Sequence, residues 1–353
     1  MSKWLDHILA FKAADWLRIP VTEPERAFSN DRSYCESERH ALLKKWHPDV
    51  NKDPQAVQVF QHIQQLFRAA VNKIESGHWV LADQIEFVDR AGHKYNLKFR
   101  RSHAFELGRM YVGDTNLLFA VDIKHGALFR NGRDRMTEFR YASPDMQAEM
   151  ERFLPRVKRH IQGIDYEYLL LEKTPDVVTL RDLLEHCDGK IPVKHVAWIV
   201  SSMLNVLCYL QWANLTHNAI SLDTFFVSPM HHSGLLLGGW WYSRLVGSRL
   251  PAIPTRTAEL MSYGQRNSAL ADSSLDQDLV RAVGRELLGD AVGTKLHSDL
   301  EIPKVLADWL LTSTNQTSTQ DYSTWLNKVL PTAFGKRQFQ KWDVTTTAIY
   351  ENA

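Results

Sequence analysis

The chain has 353 residues, a length that suggests about two domains. Hydrophobic residues make up 44% and charged residues 24%, which excludes a disordered or fibrous protein and is ordinary for a globular one. The formal net charge is +1, so the chain lacks the bulk field with which strongly basic proteins attract nucleic acid or anionic membranes.

The cysteines and the N-terminal residues indicate the compartment. The three cysteines are scattered and form no CxxC pair: Cys35, Cys187 and Cys208. This pattern argues against a disulfide framework and a zinc–cysteine site, and it favours a reducing compartment. Residues 1–16 carry charges within their apolar stretch, unlike a signal peptide, and the apolar run 234–242 is too short for a bilayer. We expect a cytoplasmic protein without a membrane partner.

Residues 1–76 have helical periodicity. In the clearest segment, 55–75, apolar residues recur every three or four positions: Ala56, Phe60, Ile63, Phe67, Ala70 and Ile74. A second helix is predicted over about 33–46. If the two helices are antiparallel, Leu42, Leu43 and Trp46 of one lie near Phe60, Ile63 and Phe67 of the other.

The loop between these helices carries the sequence KKWHPDVNKDP, residues 44–54. A tripeptide such as His47-Pro48-Asp49 is weak evidence alone, but here it follows a basic helix end and precedes an amphipathic helix. With the Phe60-x-x-Ile63 helix and LRIP at 17–20, this arrangement resembles the J-domain of DnaJ-type co-chaperones over about residues 13–76. The segment between LRIP and the motif is longer than is usual in the family.

The resemblance implies that the loop and the basic helix dock on a DnaK-type chaperone and stimulate its ATP hydrolysis. Lys44, Lys45 and Arg39 would steer onto an acidic surface, and Pro48 would reduce the entropy lost on docking. His47 and Asp49 would make polar contacts to the partner. The alternative is an interhelical turn with a capping Asp49. His40 and His47 are two helical turns apart, but no third metal ligand accompanies them.

Strand patterns begin after residue 79. Alternation around glycine predicts a hairpin over 84–99, and a second pair of strands is predicted over 110–123. Residues 143–162 are predicted to be helical, and 166–173 to form a buried strand. From about 178 onward helices dominate. The fold class is therefore α+β, with a strand-rich region before a helix-rich one.

Two later segments, LTHNAISLDTFFVS at 215–228 and HSGLLLGGWWYS at 232–243, resemble the catalytic region of protein kinases. Upstream, FELGRMYVG (105–113) stands where the Gly-rich loop would be, and LLFAVDIK (117–124) resembles the strand that carries the kinase lysine. DQDLVRAVGRELLG (276–289) resembles a later kinase helix. The resemblance covers about 84–330 and implies a two-lobed kinase-like domain with a strand-rich N-lobe and a helical C-lobe.

The kinase positions are degenerate. His217 matches the histidine of the catalytic loop, while Ala219 replaces its aspartate and Thr224 the metal-binding asparagine. The D-F-G turn reads Gly238-Gly239-Trp240. The lysine position holds Asp122, for which Lys124 could substitute, and Glu149 or Glu151 would be its partner on the next helix. Phosphoryl transfer needs a carboxylate and Mg²⁺ ligands, so the resemblance implies a pseudokinase without a cofactor, metal or catalytic residue. Asp223 is the nearest candidate for a displaced carboxylate.

The sequence thus predicts a J-domain over 1–78 and a pseudokinase over 79–335, with an N-lobe at about 84–173 and a C-lobe at about 174–335. Residues 336–353 form a tail, in which 334–342 resembles a docked amphipathic helix more than a nucleic-acid surface. The predicted function is a co-chaperone adaptor that recruits a client protein to its chaperone. The alternatives are an atypical kinase with relocated acids, an interaction scaffold with an inert hairpin, or another α+β domain over 84–330.

Overall fold

A computed structural model describes residues 5, 8–29, 31–76, 79, 83–336 and 338–351. The chain divides into two compact units. The first comprises Met1–Val88 and His93–Phe99, and the second comprises Asp89–Gly92 and Arg100–Ala353. The first unit therefore includes the strands of the predicted hairpin, which the sequence analysis assigned to the second domain.

The first unit is built around two helices, and the predicted bounds of both are confirmed closely. A short helix, α1 (Ala13–Arg18), and a 3-10 turn, Pro24–Arg26, precede α2 (Arg32–Lys45) and α3 (Ala56–Glu75). Helix α2 begins where it does because the Asp31 carboxylate accepts hydrogen bonds from the backbone N–H groups of Ser33 and Tyr34.

Contacts along α2 and α3 show that the two helices are antiparallel. Arg32 at the start of α2 pairs with Glu75 at the end of α3. The Arg39 guanidinium lies 4.8 Å from the centre of the Phe67 ring, and the His47 ring lies 5.5 Å from the Phe60 ring. The buried face of α3 consists of Ala56, Val59, Ile63, Leu66 and Ala70.

Strands β1 (Gln84–Val88) and β2 (Lys94–Lys98) form the predicted hairpin, an isolated antiparallel pair. The second unit begins with a five-stranded antiparallel sheet of order β3-β4-β5-β7-β6. Its strands are β3 (Arg101–Phe105), β4 (Gly108–Val112), β5 (Asn116–Asp122), β6 (Val157–Gln162) and β7 (Tyr166–Glu172). The paired strands β4 and β5 and the buried strand β7 confirm the sequence prediction.

Two helices connect β5 to β6, and here the prediction is partly wrong. Helix α4 (Gly126–Thr137) was not foreseen, and α5 (Pro144–Met150) ends well before residue 162. Pro155 follows closely, and a proline cannot donate the backbone hydrogen bond that would continue a helix. The residues after it become β6, because they pair with β7.

The rest of the unit is mostly helical. Its helices are α6 (Leu180–His186), α7 (Val193–Trp212), α8 (Thr255–Leu260), α9 (Tyr263–Ser268), α10 (Ser273–Leu287), α11 (Lys304–Leu311), α12 (Ser318–Thr324), α13 (Leu330–Phe334) and α14 (Thr346–Glu351). Short strands lie between them: β8 (Val178–Thr179), β9 (Leu215–Thr216), β10 (Phe225–Ser228), β11 (Ser233–Leu236) and β12 (Arg244–Leu245). A helix was expected over 334–342, but residues 338–342, which the structure describes, are not helical.

Helix α7 is the core helix of this unit. Among the described residues it alone is long and apolar enough to cross a membrane, and 67% of its most apolar window is buried inside the protein. An all-round apolar helix is expected where every face is packed against other elements. One continuous apolar core joins the sheet, through Phe119 and Leu169, to α7 and α10.

Candidate functional sites

The His47-Pro48-Asp49 loop projects between α2 and α3. The side chains of His47 and Asp49 are 46% and 87% exposed. The loop is held from within, because the backbone N–H groups of Val50 and Asn51 both donate to the His47 carbonyl, at 2.9 and 2.8 Å. The Asp49 N–H also donates to Nδ1 of His47, at 3.3 Å. These contacts fix the backbone while both polar side chains stay accessible to a partner.

The three predicted cations differ in their surroundings. Lys44 is exposed. Nζ of Lys45 donates to the carbonyl of Leu9 and lies 5.8 Å from the Trp46 ring. Arg39 is half-buried over Phe67. Of the three, Lys44 is therefore the best placed to meet an acidic surface.

The extra residues between LRIP and the motif fold back onto the helices. Nζ of Lys73 in α3 donates to the Thr22 carbonyl at 2.7 Å and pairs with the buried Glu25 carboxylate. On the other side, the Ser29 N–H donates to Glu38 of α2 at 2.8 Å. The added length thus packs against α2 and α3.

In the second unit, the His217 loop is clamped by a buried carboxylate. Asp276 lies in the first turn of α10 and accepts the backbone N–H groups of His217 and Asn218, both at 2.7 Å. Nε2 of His217 is 2.9 Å from the Gly238 carbonyl. Burial lowers the pKa of His217 to about 3, so the ring is neutral and donates this hydrogen bond. Burial raises the pKa of Asp276 to about 7, against the effect of the two N–H donors.

The structure brings four of the predicted kinase positions together. Oγ1 of Thr224 donates to the Ala219 carbonyl at 2.8 Å, and the Gly238 N–H donates to the Thr224 carbonyl at 3.0 Å. Ala219, Thr224, Gly238 and Gly239 all line one cavity of about 320 Å³, here called the cleft cavity. At Ala219, which the sequence resemblance assigned to the catalytic aspartate, the side chain is only a methyl group.

Four other predicted residues lie elsewhere. Asp122 ends β5, and its carboxylate accepts the Lys124 N–H at 2.9 Å and pairs with Lys124 Nζ at 2.9 Å. Lys124 lies in a 3-10 turn after the strand, so it does not share a strand face with Asp122. Glu149 pairs with Arg152, and Glu151 with Arg156. None of these side chains lines the cleft cavity, and within the described residues Lys124, Glu149 and Glu151 pair with other side chains and not with one another as predicted.

Sequence reasoning did not identify the roles of two charged residues at the cleft cavity, Arg181 and Glu106. Arg181 of α6 makes a two-pronged ion pair with Asp223, the candidate displaced carboxylate. Glu106, in the turn between β3 and β4, accepts the Tyr242 hydroxyl and the Thr255 N–H, both at 2.8 Å. The only signal for Glu106 was its place in FELG, where a Gly-rich loop was expected and a carboxylate stands.

Within the described residues, no group of three or more His, Cys, Asp or Glu side chains is arranged to hold a metal ion. No protein-family model matches the chain, and a comparison with curated proteins gives no significant match.

Proposed function

We propose that the first unit acts as a J-domain, which engages a DnaK-type chaperone and stimulates its ATP hydrolysis. The observation that carries this proposal is the exposed His47-Pro48-Asp49 loop between two antiparallel helices. Its hydrogen bonds to its own backbone preorganise the loop, which reduces the conformational entropy lost on binding. Lys44 supplies a positive charge near the end of α2, next to the loop, where an acidic partner surface would meet it.

We further propose that the second unit is a kinase-like domain that binds a client protein without catalysing phosphoryl transfer. Supporting this, the segments assigned to the kinase loop and turn converge on one cavity below a five-stranded antiparallel sheet. Ala219 cannot accept a proton, and Gly238 has no side chain with which to bind Mg²⁺. Asp223, the nearest alternative carboxylate, is neutralised by Arg181.

Together the two units would form a cytoplasmic adaptor that delivers its client to the chaperone. The binding step is tested with immobilised ATP-bound DnaK-type chaperone and the full chain in solution. His47→Gln should abolish binding, while His93→Gln, at an exposed position between β1 and β2 of the same unit, should bind like the parent protein. Equal binding by the parent and His47→Gln would contradict the proposal.

A further inference from the structure

The walls of the cleft cavity are mainly apolar and aromatic. The sheet side supplies Phe105, Met110 and Phe119, and the opposite side supplies Ile220 and Trp241. The Phe119 ring lies edge-on to both Phe105 and Trp241, with centroids 5.8 and 5.4 Å apart. The volume of about 320 Å³ lies at the lower end of the range for small-molecule pockets.

The charged side chains at this cavity leave no surplus positive charge. Arg181 is paired with Asp223, Arg256 with Glu286, and His103 with Asp182 at 3.0 Å.

The remaining charged group is the Glu106 carboxylate. Burial would raise the pKa of Glu106, but the Thr255 N–H and the Tyr242 hydroxyl outweigh it and hold the pKa below its usual value. An ionised carboxylate that lines the cavity repels anions, so polyphosphates are disfavoured.

We propose that the cleft cavity binds a small, planar, uncharged aromatic molecule and not a nucleoside triphosphate. Edge-on aromatic rings and a methionine side chain offer a flat ring both dispersion contact and favourable ring-edge geometry. Such a ligand would displace water from the apolar walls without having to satisfy a charge. It would give the client-binding unit a small-molecule input of its own.

The probe for this site is prodan, an uncharged naphthalene dye whose emission shifts to the blue in apolar surroundings. The full chain should bind prodan saturably at one site, and millimolar Mg·ATP should not displace it. Phe105→Ala removes one aromatic wall and should weaken binding by about tenfold. Phe339→Ala is the matched control, since Phe339 is 70% exposed and does not line the cavity. Thermal melts establish that both variants fold.

A second measurement locates the dye without any variant. An uncharged naphthyl diazirine is photolysed with the parent protein, and labelled peptides are identified by mass spectrometry. Labelling should fall on the segments that line the cavity, at 103–119, 181, 217–242 or 254–257, and should be blocked by excess prodan. The proposal is overturned by labelling elsewhere, by non-saturable binding, or by displacement of prodan by Mg·ATP. Both measurements report ligand binding to the second unit alone. A negative result therefore does not bear on the proposed binding of the first unit to a chaperone.

Discussion

Gly239 shows how closely the residues around the His217 loop are packed. Its φ is +80°, and a Cβ there would lie 2.6 Å from Cε1 of His217. Gly247 has almost the same φ, +77°, but nothing lies within 4 Å of an added Cβ. Gly247→Ala should therefore cost only the backbone strain, about 1 kcal/mol. Gly239→Ala should cost clearly more, and urea unfolding measures both. Equal losses would mean that the turn relaxes freely.

His217 should make the protein sensitive to acid. The unfolded chain binds a proton on His217 near pH 6.5, but the folded protein does so only at about pH 3. Stability from this residue is thus complete above pH 6.5 and falls as the pH drops toward 3, by up to about 1.4 kcal/mol per pH unit.

The His217→Gln variant isolates this effect. Asp276, which titrates with the opposite sign, is present in both proteins and cancels in the comparison. Between pH 6 and pH 4 the free energy of unfolding of the parent should decrease relative to that of His217→Gln. Identical pH dependences would show that the folded protein protonates His217 readily.

Helix α3 illustrates what periodicity can and cannot fix. The spacing located the helix, but it placed Phe60 and Phe67 on the buried stripe, where the structure has Val59 and Leu66. The two sets differ by a rotation of one residue, and the large phenylalanines lie at the flanks against His47 and Arg39.

Leu66→Ala should lower the free energy of unfolding by about 2–5 kcal/mol. Val57→Ala on the exposed face of α3 should change stability by less than about 0.5 kcal/mol.

Elements that depend on distant contacts were the ones that sequence reasoning missed. Helix α4 contains Gly132, a poor helix former, yet a Cβ there would lie 2.3 Å from the Trp241 ring. The glycine is needed for a contact over a hundred residues away, which local propensity cannot reveal. Likewise, Asp122 was assigned to a kinase position from its place in the strand. In the structure its carboxylate accepts a hydrogen bond from the backbone N–H of Lys124, in the turn that follows.

For the molecule as a whole, the α+β class and the order of strand-rich and helix-rich regions were predictable. Strand alternation and helical spacing depend on residues close together in the sequence, so they could be recognised without knowledge of tertiary contacts. Only part of the cleft cavity was predictable: the sequence grouped Ala219, Thr224, Gly238 and Gly239, but the other walls come from segments as distant as Phe105 and Thr257.

Addition of Mg·ATP should leave the melting temperature of the full chain unchanged, since Arg181 and Arg256 at the cavity are already paired with Asp223 and Glu286, and the Glu106 carboxylate repels phosphate. Thermal melts with and without about 5 mM Mg·ATP measure this. That concentration would largely occupy even a site with a dissociation constant of about 1 mM. A stabilisation of several degrees would revive the phosphotransferase alternative, with Asp223 as its carboxylate.

The most direct test of the adaptor proposal is steady-state ATP hydrolysis by a DnaK-type chaperone in the presence of the full chain. The parent protein and His93→Gln should stimulate hydrolysis, and His47→Gln should not, although all three should melt alike. Stimulation that survives in His47→Gln, or no stimulation by the parent protein, would contradict the account.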